Sequence, residues 1–438
     1  MAIVTIGGHR DGPPASENMV QKANAPAHTD VAESDTDYPA HGEQCARATD
    51  YRAVLNPRLI RESFALIEPV ADKAMTYFYG RLFSDNPGLR GMFPASSHGQ
   101  GGRLLQAMRV IVASLDSPHA AGAYLAKLSR EHRKFGVAPE HYAAVGDAFL
   151  TTLQRFAGNA WTDEVHAAWR AAFDLIAKIM ISAAEQDASH SPPWWLGEVV
   201  VHERRGPDVA VLTLAPNKPL PHRAGQYLAV QCARWPRVWR RYSIANAPRA
   251  DGLLRLHVRA VPGGWVSGTL VHHTRPGDVL VLGPATGTMT ADTGSGGDVV
   301  CVAGGTGLAP IKAIVQHLVA HGRGVSTRRI HLLFGARREN DLYDLPSLRR
   351  MESRYPSLRV TPVISEEPGF DGVCGMLPAV VPRCLPLVGH HLAYHDILAY
   401  HDIYVAGPAE MVRQTAQVLS AMGCPAARIH NDPVGTEP

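Results

Sequence analysis

Hydrophobic and polar positions change their spacing along the chain, and these changes divide it into four stretches. Residues 1–50 sustain no hydrophobic period and are rich in Ala, Asp, Glu, Pro, Gly, His and Ser, as is typical of a disordered extension. Across residues 51–188, apolar residues recur three and four positions apart, and Gly and Pro fill the gaps. This period predicts an all-α domain.

The pattern switches to strands after a Ser/Pro-rich break that begins at Ser189. Residues 189–295 contain short β-branched runs separated by turn residues, which predict an antiparallel barrel or sandwich. In residues 296–438, hydrophobic strands alternate with helical segments, which predicts an α/β domain with a mainly parallel sheet. The predicted fold class is therefore multidomain: an all-α domain, an antiparallel β-barrel and an α/β domain.

The composition argues against several classes of partner. The 438 residues carry a formal net charge of only +3 and no long basic run, so a nucleic-acid partner is not expected. No stretch of about 18 apolar residues occurs, which predicts no integral membrane segment. The start lacks a secretory pattern, and the six cysteines are scattered without a C-x-x-C pair, so we expect a reduced, cytoplasmic protein.

The hexapeptide LAYHDI occurs twice in tandem, at 392–397 and 398–403. The second copy runs into the hydrophobic strand HDIYVAG, so the first copy is predicted to form a loop insertion without a catalytic role.

A glycine-rich turn follows the first hydrophobic strand of the α/β stretch and opens a helix. It comprises Gly304, Gly305, Thr306 and Gly307, with Pro310 where a third glycine would complete a G-x-G-x-x-G pattern. Glycines let the backbone approach a phosphate, and a helix N-terminus offers unpaired N–H groups and a positive dipole end. Proline suits the first turn of a helix. Taken alone, the turn fits a purely structural role comparably well.

A second motif points to a flavin. Arg240, Tyr242 and Ser243 match the R-x-Y-S pattern of the ferredoxin–NADP reductase superfamily, and Gln226 lies in a G-Q-Y segment that resembles the strand before that pattern. The resemblance implies that the Arg meets the flavin pyrophosphate, the Tyr lies against the isoalloxazine and the Ser hydrogen-bonds near flavin N5. Gln226 is expected at the same cofactor site.

Two more motifs keep the order of that superfamily. Gly264, Val266 and Ser267 belong to a turn that resembles its G-G-x-x-S segment, which implies that backbone N–H groups hold the pyrophosphate. Gly407 and Pro408 resemble its C-G-P turn beside the nicotinamide. The resemblance runs from about residue 194 to residue 432 and implies a reductase module that binds FAD and NADH or NADPH.

Some positions depart from the superfamily pattern or leave it open. Ala406 stands where Cys is usual, and Asp432–Gly435 replaces the C-terminal aromatic that often shields the flavin. An open flavin face is therefore expected. Arg337 and Arg338 could meet the 2′-phosphate of NADPH or equally be solvated surface charges, and the family resemblance favours NADH slightly.

His132 is the candidate metal ligand of the all-α stretch. A lone histidine on a helix is usually a surface or core residue. However, Leu125, Leu128 and His132 lie three and four positions apart on one apolar face, so the imidazole is predicted to point inward. An inward, neutral imidazole suits an axial haem ligand.

Two segments extend the resemblance to the flavohaemoglobin family. Phe78–Phe83, the Asn-Pro pair after it and Phe93 resemble the B helix and CD corner, and His132–Tyr142 resembles the proximal segment. A globin followed by this reductase order is the architecture of that family. The chain from about Leu55 onward therefore resembles a flavohaemoglobin.

The resemblance implies roles around a haem b. His132 would be the proximal iron ligand, with Tyr142 supporting the proximal side. Tyr79 would be the distal hydroxyl that hydrogen-bonds oxygen, and Phe93 would pack on the haem face.

The distal helix carries an ambiguity. Gln100 takes the family's distal position, with Leu104 one turn later, if a short deletion follows Phe93. Arg103 takes that position if no gap is allowed.

The family usually places a Glu late in the last globin helix, where it hydrogen-bonds the proximal histidine. That position falls at Ala184, with Glu185 next to it. Because one residue rotates a helical side chain by about 100°, Glu185 cannot simply substitute. His132 is then expected to have less imidazolate character and to push less electron density onto iron.

The resemblance implies nitric oxide dioxygenation: NAD(P)H reduces FAD, FAD reduces haem iron, and nitric oxide and O2 become nitrate. O2 and NO would be its small-molecule partners, and the protein a monomer or weak homodimer. Two alternatives stay open. A divergent member could use another electron donor or reduce a quinone, and a haem-based sensor of oxygen or nitric oxide could use the reductase to reset its iron.

Overall fold

The structure is a computed structural model that describes residues 56–93, 100–291, 297–321, 328–367, 369–385 and 401–432. The predicted extension at 1–50, the first LAYHDI copy and the residues after Asp432 lie outside these ranges. Within them, no helix has both the length and the apolar character needed to cross a membrane.

The helical domain begins at a capped helix. Asn56 accepts a hydrogen bond from the Leu59 N–H, and Thr162 caps the last helix in the same way at Val165. Its six described helices are α1 Pro57–Ile67, α2 Ala71–Asp85, α3 Gln100–Ala113, α4 Pro118–Arg133, α5 His141–Ala157 and α6 Asp163–Ala188.

Trp169 of α6 lies at the centre of the helical core and is 2% exposed. Its indole N–H donates to the Ser63 hydroxyl on α1 at 2.9 Å, and its ring meets Phe149 of α5 edge-on. A buried indole needs such an acceptor, because an unpaired polar group in an apolar core is costly. This core joins α1, α5 and α6 into one support.

Helix α4 packs along α6. The Ser129 hydroxyl donates to the Met180 carbonyl in a buried contact, and Arg133 pairs with Asp187 one to two turns further along α6. Ser129 and Arg133 lie on either side of His132 in the sequence. Their contacts therefore determine which face of α4 packs against α6.

The next domain is a nearly closed antiparallel barrel with strand order β4-β3-β6-β1-β2-β5. A bridge between Ile244 and Leu256 connects the two end strands, and the inward leucines of the strands are fully buried. Closure removes the exposed edges of the sheet. Its elements are β1 Trp195–Arg204, β2 Val209–Pro216, β3 Tyr227–Cys232, β4 Arg240–Ser243, β5 Leu254–Arg259, helix α7 Trp265–His272 and β6 Val279–Leu282.

The third domain has a parallel six-stranded sheet with order β10-β9-β8-β7-β11-β12. Every residue of its first strand, Val299–Gly304, is buried, as expected for a parallel strand covered on both faces. Its elements are β7 Val299–Gly304, α8 Leu308–His321, β8 Ile330–Ala336, α9 Leu345–Arg354, β9 Leu358–Ile364, β10 Val373–Cys374, α10 Leu377–Cys384, β11 Asp402–Ala406, α11 Ala409–Ala421 and β12 Ile429–His430. The three-part fold class predicted from the sequence is confirmed.

A buried ion pair ties α8 to the start of α9. The Lys312 ammonium lies 2.5 Å from the Asp344 carboxylate and 3.1 Å from the Ser347 hydroxyl, and both charged side chains are at most 4% exposed. Burial lowers the pKa of Lys312, and the Asp344 charge opposes that shift. Next to this pair, Tyr343 and His257 of β5 share a 2.8 Å hydrogen bond, which joins the barrel to the α/β domain.

Replacing Asp344 by Ala is expected to lower the free energy of unfolding by about 3–5 kcal/mol, because the buried Lys312 ammonium loses its counter-charge. Urea denaturation followed by tryptophan fluorescence measures the change. The control is Asp251→Ala, which removes a surface pair with Arg249 and is expected to leave the urea midpoint nearly unchanged. Equal losses in the two variants would contradict a special role for the buried pair.

Candidate functional site

His132 occupies the last turn of α4. Its Nδ1 lies 2.7 Å from the Leu128 carbonyl oxygen, which can only accept, so Nδ1 carries the proton and Nε2 keeps its lone pair. Burial lowers the pKa of His132, which favours the neutral imidazole. A neutral ring oriented by a carbonyl at Nδ1 is the form in which histidine ligates a metal through Nε2.

The donor set around His132 fits a haem better than a metal held by side chains alone. Within the described ranges, no group of three or more His, Cys, Asp or Glu residues could hold a metal ion. A single histidine suffices only where a macrocycle supplies the other ligands.

An aromatic cluster forms the predicted distal side. Tyr79 and Phe83 of α2 stack with centroids 5.9 Å apart, and both meet Phe93 edge-on at 5.8 and 5.1 Å. Burial raises the pKa of Tyr79 to about 12, against the opposing charge of Arg103, so the phenol stays a hydrogen-bond donor. Arg103 is itself exposed. The structure thus brings Tyr79 and Phe93 together, and their roles on one side of a haem pocket stay predictions.

The other residues assigned to the haem, Gln100, Leu104 and Tyr142, lie on two helices. Leu104 of α3 is partly buried against the same core as Tyr79 and Phe93. Gln100 is the first residue of α3, and its side chain lies outside the described part of the structure. Tyr142 is the second residue of α5, and burial raises its pKa. The roles of these three residues stay predictions.

Ala184 lies on the face of α6 that α4 covers. Met180 and Asp187 contact α4, and Ala184 falls between them at helical spacing and is partly buried. Glu185 is exposed, as expected from a rotation of about 100°. The partner of His132 Nδ1 in this structure is therefore a backbone carbonyl and not a carboxylate.

The flavin motif forms strand β4. Tyr242 and Ser243 pair with Leu228 and Tyr227 of β3, and Tyr242 is mostly buried, which raises its pKa well above the ordinary value. Arg240 is exposed and donates one hydrogen bond, at 2.9 Å, to a backbone carbonyl. A guanidinium has five N–H donors, so Arg240 retains capacity for a phosphate.

The turn before α7 has the geometry of an anion cradle. The Ser267 hydroxyl donates to the Gly264 carbonyl and accepts from the Val261 N–H, both at 3.3 Å, so it holds the turn closed. A Cβ at position 264 would lie 2.4 Å from that hydroxyl, which explains the glycine. The N–H groups of Trp265, Val266 and Ser267 have no intrahelical acceptor and are available to a phosphate.

The two turns assigned to the nicotinamide cofactor meet at the carboxyl ends of β7 and β11. Chain order reverses between these strands, so this is the switch point at which open α/β sheets bind ligands. A Cβ at Gly307 would lie 2.3 Å from the Ala406 carbonyl oxygen and 2.5 Å from the Cα of Gly407, so only glycine permits the approach. Gly304, Gly305 and Thr306 complete the first turn, Pro310 is buried in the first turn of α8, and Pro408 caps α11.

The structure also shows contacts that sequence patterns could not indicate. The Gln226 side chain accepts a hydrogen bond from the Arg223 N–H at 2.8 Å and donates one to the Gly287 carbonyl at 3.4 Å. Its amide therefore connects two backbone segments of the barrel domain.

Asp432 is 6% exposed, and one of its oxygens accepts from the N–H and hydroxyl of Thr288 and from the Met289 N–H. It thereby anchors the end of the described chain beside the barrel, more than 140 residues away in sequence.

Trp265, which the G-G-x-x-S pattern treats as a free position, stacks on Trp235 with centroids 4.9 Å apart. Its ring remains 53% exposed beside the cradle. No local pattern signals this pair, because the two indoles come from a β3–β4 connection and a helix start.

Three protein families match consecutive parts of the chain. They are Globin at residues 76–180, Oxidoreductase FAD-binding domain at 197–290 and Oxidoreductase NAD-binding domain at 301–417. The Flavohemoprotein of Bordetella pertussis is 30% identical over 402 residues, which cover 86% of this chain and 97% of that protein. This chain belongs to the flavohemoprotein family.

Further relatives agree with this assignment. The Flavohemoprotein of Chromobacterium violaceum is 26% identical, with 87% of this chain and 97% of that protein covered. The crystal structure of flavohemoglobin from Malassezia yamatoensis, with bound FAD and heme, shares the fold with a TM-score of 0.68 at 18% identity, covering 85% of this chain and 97% of that one.

The family and its three domains make this flavohemoprotein an NAD(P)H-dependent oxidoreductase with haem and FAD as cofactors. Each matched range lies inside one predicted domain: 76–180 in 51–188, 197–290 in 189–295 and 301–417 in 296–438. The domain limits themselves stay predictions.

Replacing His132 by Ala is expected to abolish the haem Soret band of the purified protein, because no second ligand occupies its place on α4. Flavin absorbance should be retained, since His132 lies in a different domain from β4. The matched control is His166→Ala, which removes an exposed histidine of α6 and should keep the Soret band. A Soret band unchanged in His132→Ala would show that the ligand assignment is wrong.

Replacing Ala184 by Glu is expected to raise the iron–histidine stretching frequency of the ferrous protein, because a carboxylate on this face of α6 would draw the His132 Nδ1 proton and increase imidazolate character. Resonance Raman spectroscopy measures the frequency. Ala184→Gln has the same shape without the charge and should give a smaller shift. Identical spectra for the two variants would mean that position 184 does not face the imidazole.

Proposed function

We propose that this flavohemoprotein is a nitric oxide dioxygenase that consumes NAD(P)H, O2 and NO and forms nitrate. Two observations support the proposal: the neutral imidazole of His132, whose Nδ1 is held by a carbonyl, and the neutral, partly buried hydroxyl of Tyr79 beside Phe83 and Phe93. Haem supplies the redox-active iron at which oxygen and nitric oxide react, and FAD converts the hydride of the nicotinamide into single electrons.

Residues of the globin domain orient the groups at the proposed haem site. The Leu128 carbonyl fixes the tautomer and rotation of the His132 ring, so that Nε2 is presented in one orientation. Tyr79 donates a hydrogen bond where negative charge develops on oxygen, and such a preorganised donor strengthens in a dry site. The rings of Phe83 and Phe93 pack against the phenol ring.

Residues of the two reductase domains would bind FAD and the nicotinamide cofactor. The N-terminus of α7 and the Arg240 guanidinium supply positive potential for the pyrophosphate, and Tyr242 offers its ring to the isoalloxazine. The glycine turns at Gly307 and Gly407 leave the switch point open to the nicotinamide.

NADH is the donor that we expect. The Arg337 guanidinium lies 3.5 Å from the Glu366 carboxylate, and both side chains are exposed. A carboxylate in this position would repel the 2′-phosphate of NADPH. We further propose that the protein acts in the cytoplasm, as a monomer or weak homodimer.

One observation favours a second candidate function. Because a carbonyl and not a carboxylate faces His132 Nδ1, the imidazole is a weaker electron donor to the iron. Such a centre suits a divergent flavohemoprotein in which the reductase passes electrons to another acceptor, such as a quinone.

The decisive assay supplies the haem- and FAD-loaded protein with NADH, oxygen and nitric oxide. We expect nitric oxide to disappear, with one nitrate formed per nitric oxide consumed, and Tyr79→Phe to slow this by about 100-fold, the usual effect of losing one preorganised donor. An electrode follows nitric oxide, and the Soret band controls for haem content. Loss no faster than with free haem and FAD would refute the dioxygenase proposal.

The same variant gives a test of pH dependence. The pKa of Tyr79 is raised to about 12, so its neutral hydroxyl is fully present below its ordinary pKa and is lost only as the pH rises through the raised value. The ratio of wild-type to Tyr79→Phe rates is therefore expected to stay constant from about pH 9 to about pH 10.5, the range in which a tyrosine of ordinary pKa would ionise. A ratio that falls across this range would mean that the phenol ionises like an exposed tyrosine.

A further inference from the structure

The residues around His132 make direct contact with the strand that carries the flavin motif. From the globin domain, Glu131, Lys134 and Phe135 take part, at the end of α4 and just beyond it. From the barrel, Trp239 and Arg241 take part, on either side of Arg240. We call these five residues the inter-domain clamp.

The apolar half of the clamp is aromatic. The rings of Phe135 and Trp239 meet edge-on with centroids 6.3 Å apart, and Phe135 meets the His132 ring edge-on at 6.2 Å. The Lys134 ammonium lies 5.1 Å from the Phe135 centroid and 5.6 Å from that of Trp239. One cation therefore contacts aromatic faces in both domains, a contact that strengthens with desolvation.

The charged half of the clamp is an ion pair. The Arg241 guanidinium lies 3.4 Å from the Glu131 carboxylate, and the two side chains are 40% and 20% exposed. Arg241 also lies over the ring of Tyr227 on β3, with 5.5 Å to the centroid. The Coulomb attraction of so exposed a pair is small. The pair forms only when the face of α4 that carries Glu131 is turned toward β4, so it favours one rotation of α4 about its axis.

The two halves leave little space between the domains. The cavity lined by Glu131, Lys134, Tyr227, Arg241 and neighbouring barrel residues has a volume of about 10 Å³. That is room for no more than about one water molecule.

We propose that the clamp positions the haem domain for electron transfer from the flavin of the same chain. Three clamp residues are sequence neighbours of proposed site residues. Glu131 directly precedes His132, the proposed iron ligand, and Trp239 and Arg241 flank Arg240. A displacement at the clamp therefore changes the separation of the two cofactors while leaving both binding sites intact. These five are positioning residues, and the inference depends on the haem and flavin sites of the proposed function but not on nitric oxide.

The step that the clamp serves moves one electron from reduced flavin to ferric iron, which becomes ferrous. NADH provides the electrons in pairs, as a hydride, so two such transfers follow each NADH. No protein bond forms or breaks in this step, so a change in the separation or orientation of the two cofactors acts on its rate directly.

The test is anaerobic stopped-flow mixing of the holoprotein with NADH under carbon monoxide, which traps ferrous haem with a distinct Soret band. Flavin bleaching and Soret change are recorded separately. In Trp239→Ala we expect haem reduction to slow about tenfold or more, since misplacements near 1 Å cost rates of this order, while flavin bleaching stays within about twofold. Trp239→Phe keeps an aromatic edge and should recover most of the rate.

The ion pair is tested by charge exchange. Glu131→Arg is expected to slow haem reduction, and combining it with Arg241→Glu should restore the rate, because the pair is re-formed with its charges exchanged. Glu185→Arg, the same reversal on an exposed residue of α6, is the matched control and should leave both phases unchanged. High salt should slow the wild type more than Glu131→Gln.

Two results would overturn the proposal. One is haem reduction at the wild-type rate in both Trp239→Ala and Glu131→Arg. The other is a parallel loss of flavin bleaching and haem reduction in Trp239→Ala, which would place the residue in the flavin site. Neither result bears on nitric oxide, so a protein that passes electrons normally yet consumes no nitric oxide would refute the dioxygenase proposal alone.

Discussion

The docking of the end of α4 onto strand β4 is the contact on which the rest of this molecule depends. The proposed iron ligand, His132, and the flavin motif belong to domains with separate hydrophobic cores, so neither core sets their separation. The contact is composed of weak individual interactions, an ion pair and a small group of rings. It is reinforced on the opposite side of α4, where Arg133 pairs with Asp187 and donates to the Ser191 carbonyl of the linker at 2.8 Å. The linker, which follows α6, thus contributes to the orientation of α4.

Burial decides the protonation state of the groups that matter most. His132 and Tyr79 are kept neutral by desolvation, which leaves one with a lone pair and the other with a proton. In the α/β domain, two buried groups stay charged because they form an ion pair. The charges of Lys312 and Asp344 compensate each other. Burial thus keeps His132 and Tyr79 uncharged, whereas pairing lets Lys312 and Asp344 remain charged in the core.

Departures from the family pattern are local in this structure. Ala184 changes only the partner of the His132 ring nitrogen, since the α4–α6 contacts on either side of it are intact. Ala406 is buried, and its backbone carbonyl lies against Gly307. Asp432 accepts hydrogen bonds from Thr288 and Met289 beside the barrel.

Sequence alone was sufficient for the three domains, their order and the family, because hydrophobic periods and turn motifs are local properties of the chain. It also singled out His132, Tyr79 and the glycine turns as candidate site residues, since each lies within a short, ordered motif. It could not assign the amide of Gln226, the anchoring role of Asp432 or the stacking of Trp265 on Trp235. It gave no sign that Glu131 faces Arg241. These contacts join residues far apart in the chain, and only the packing of helix, barrel and sheet against one another decides which side chains meet.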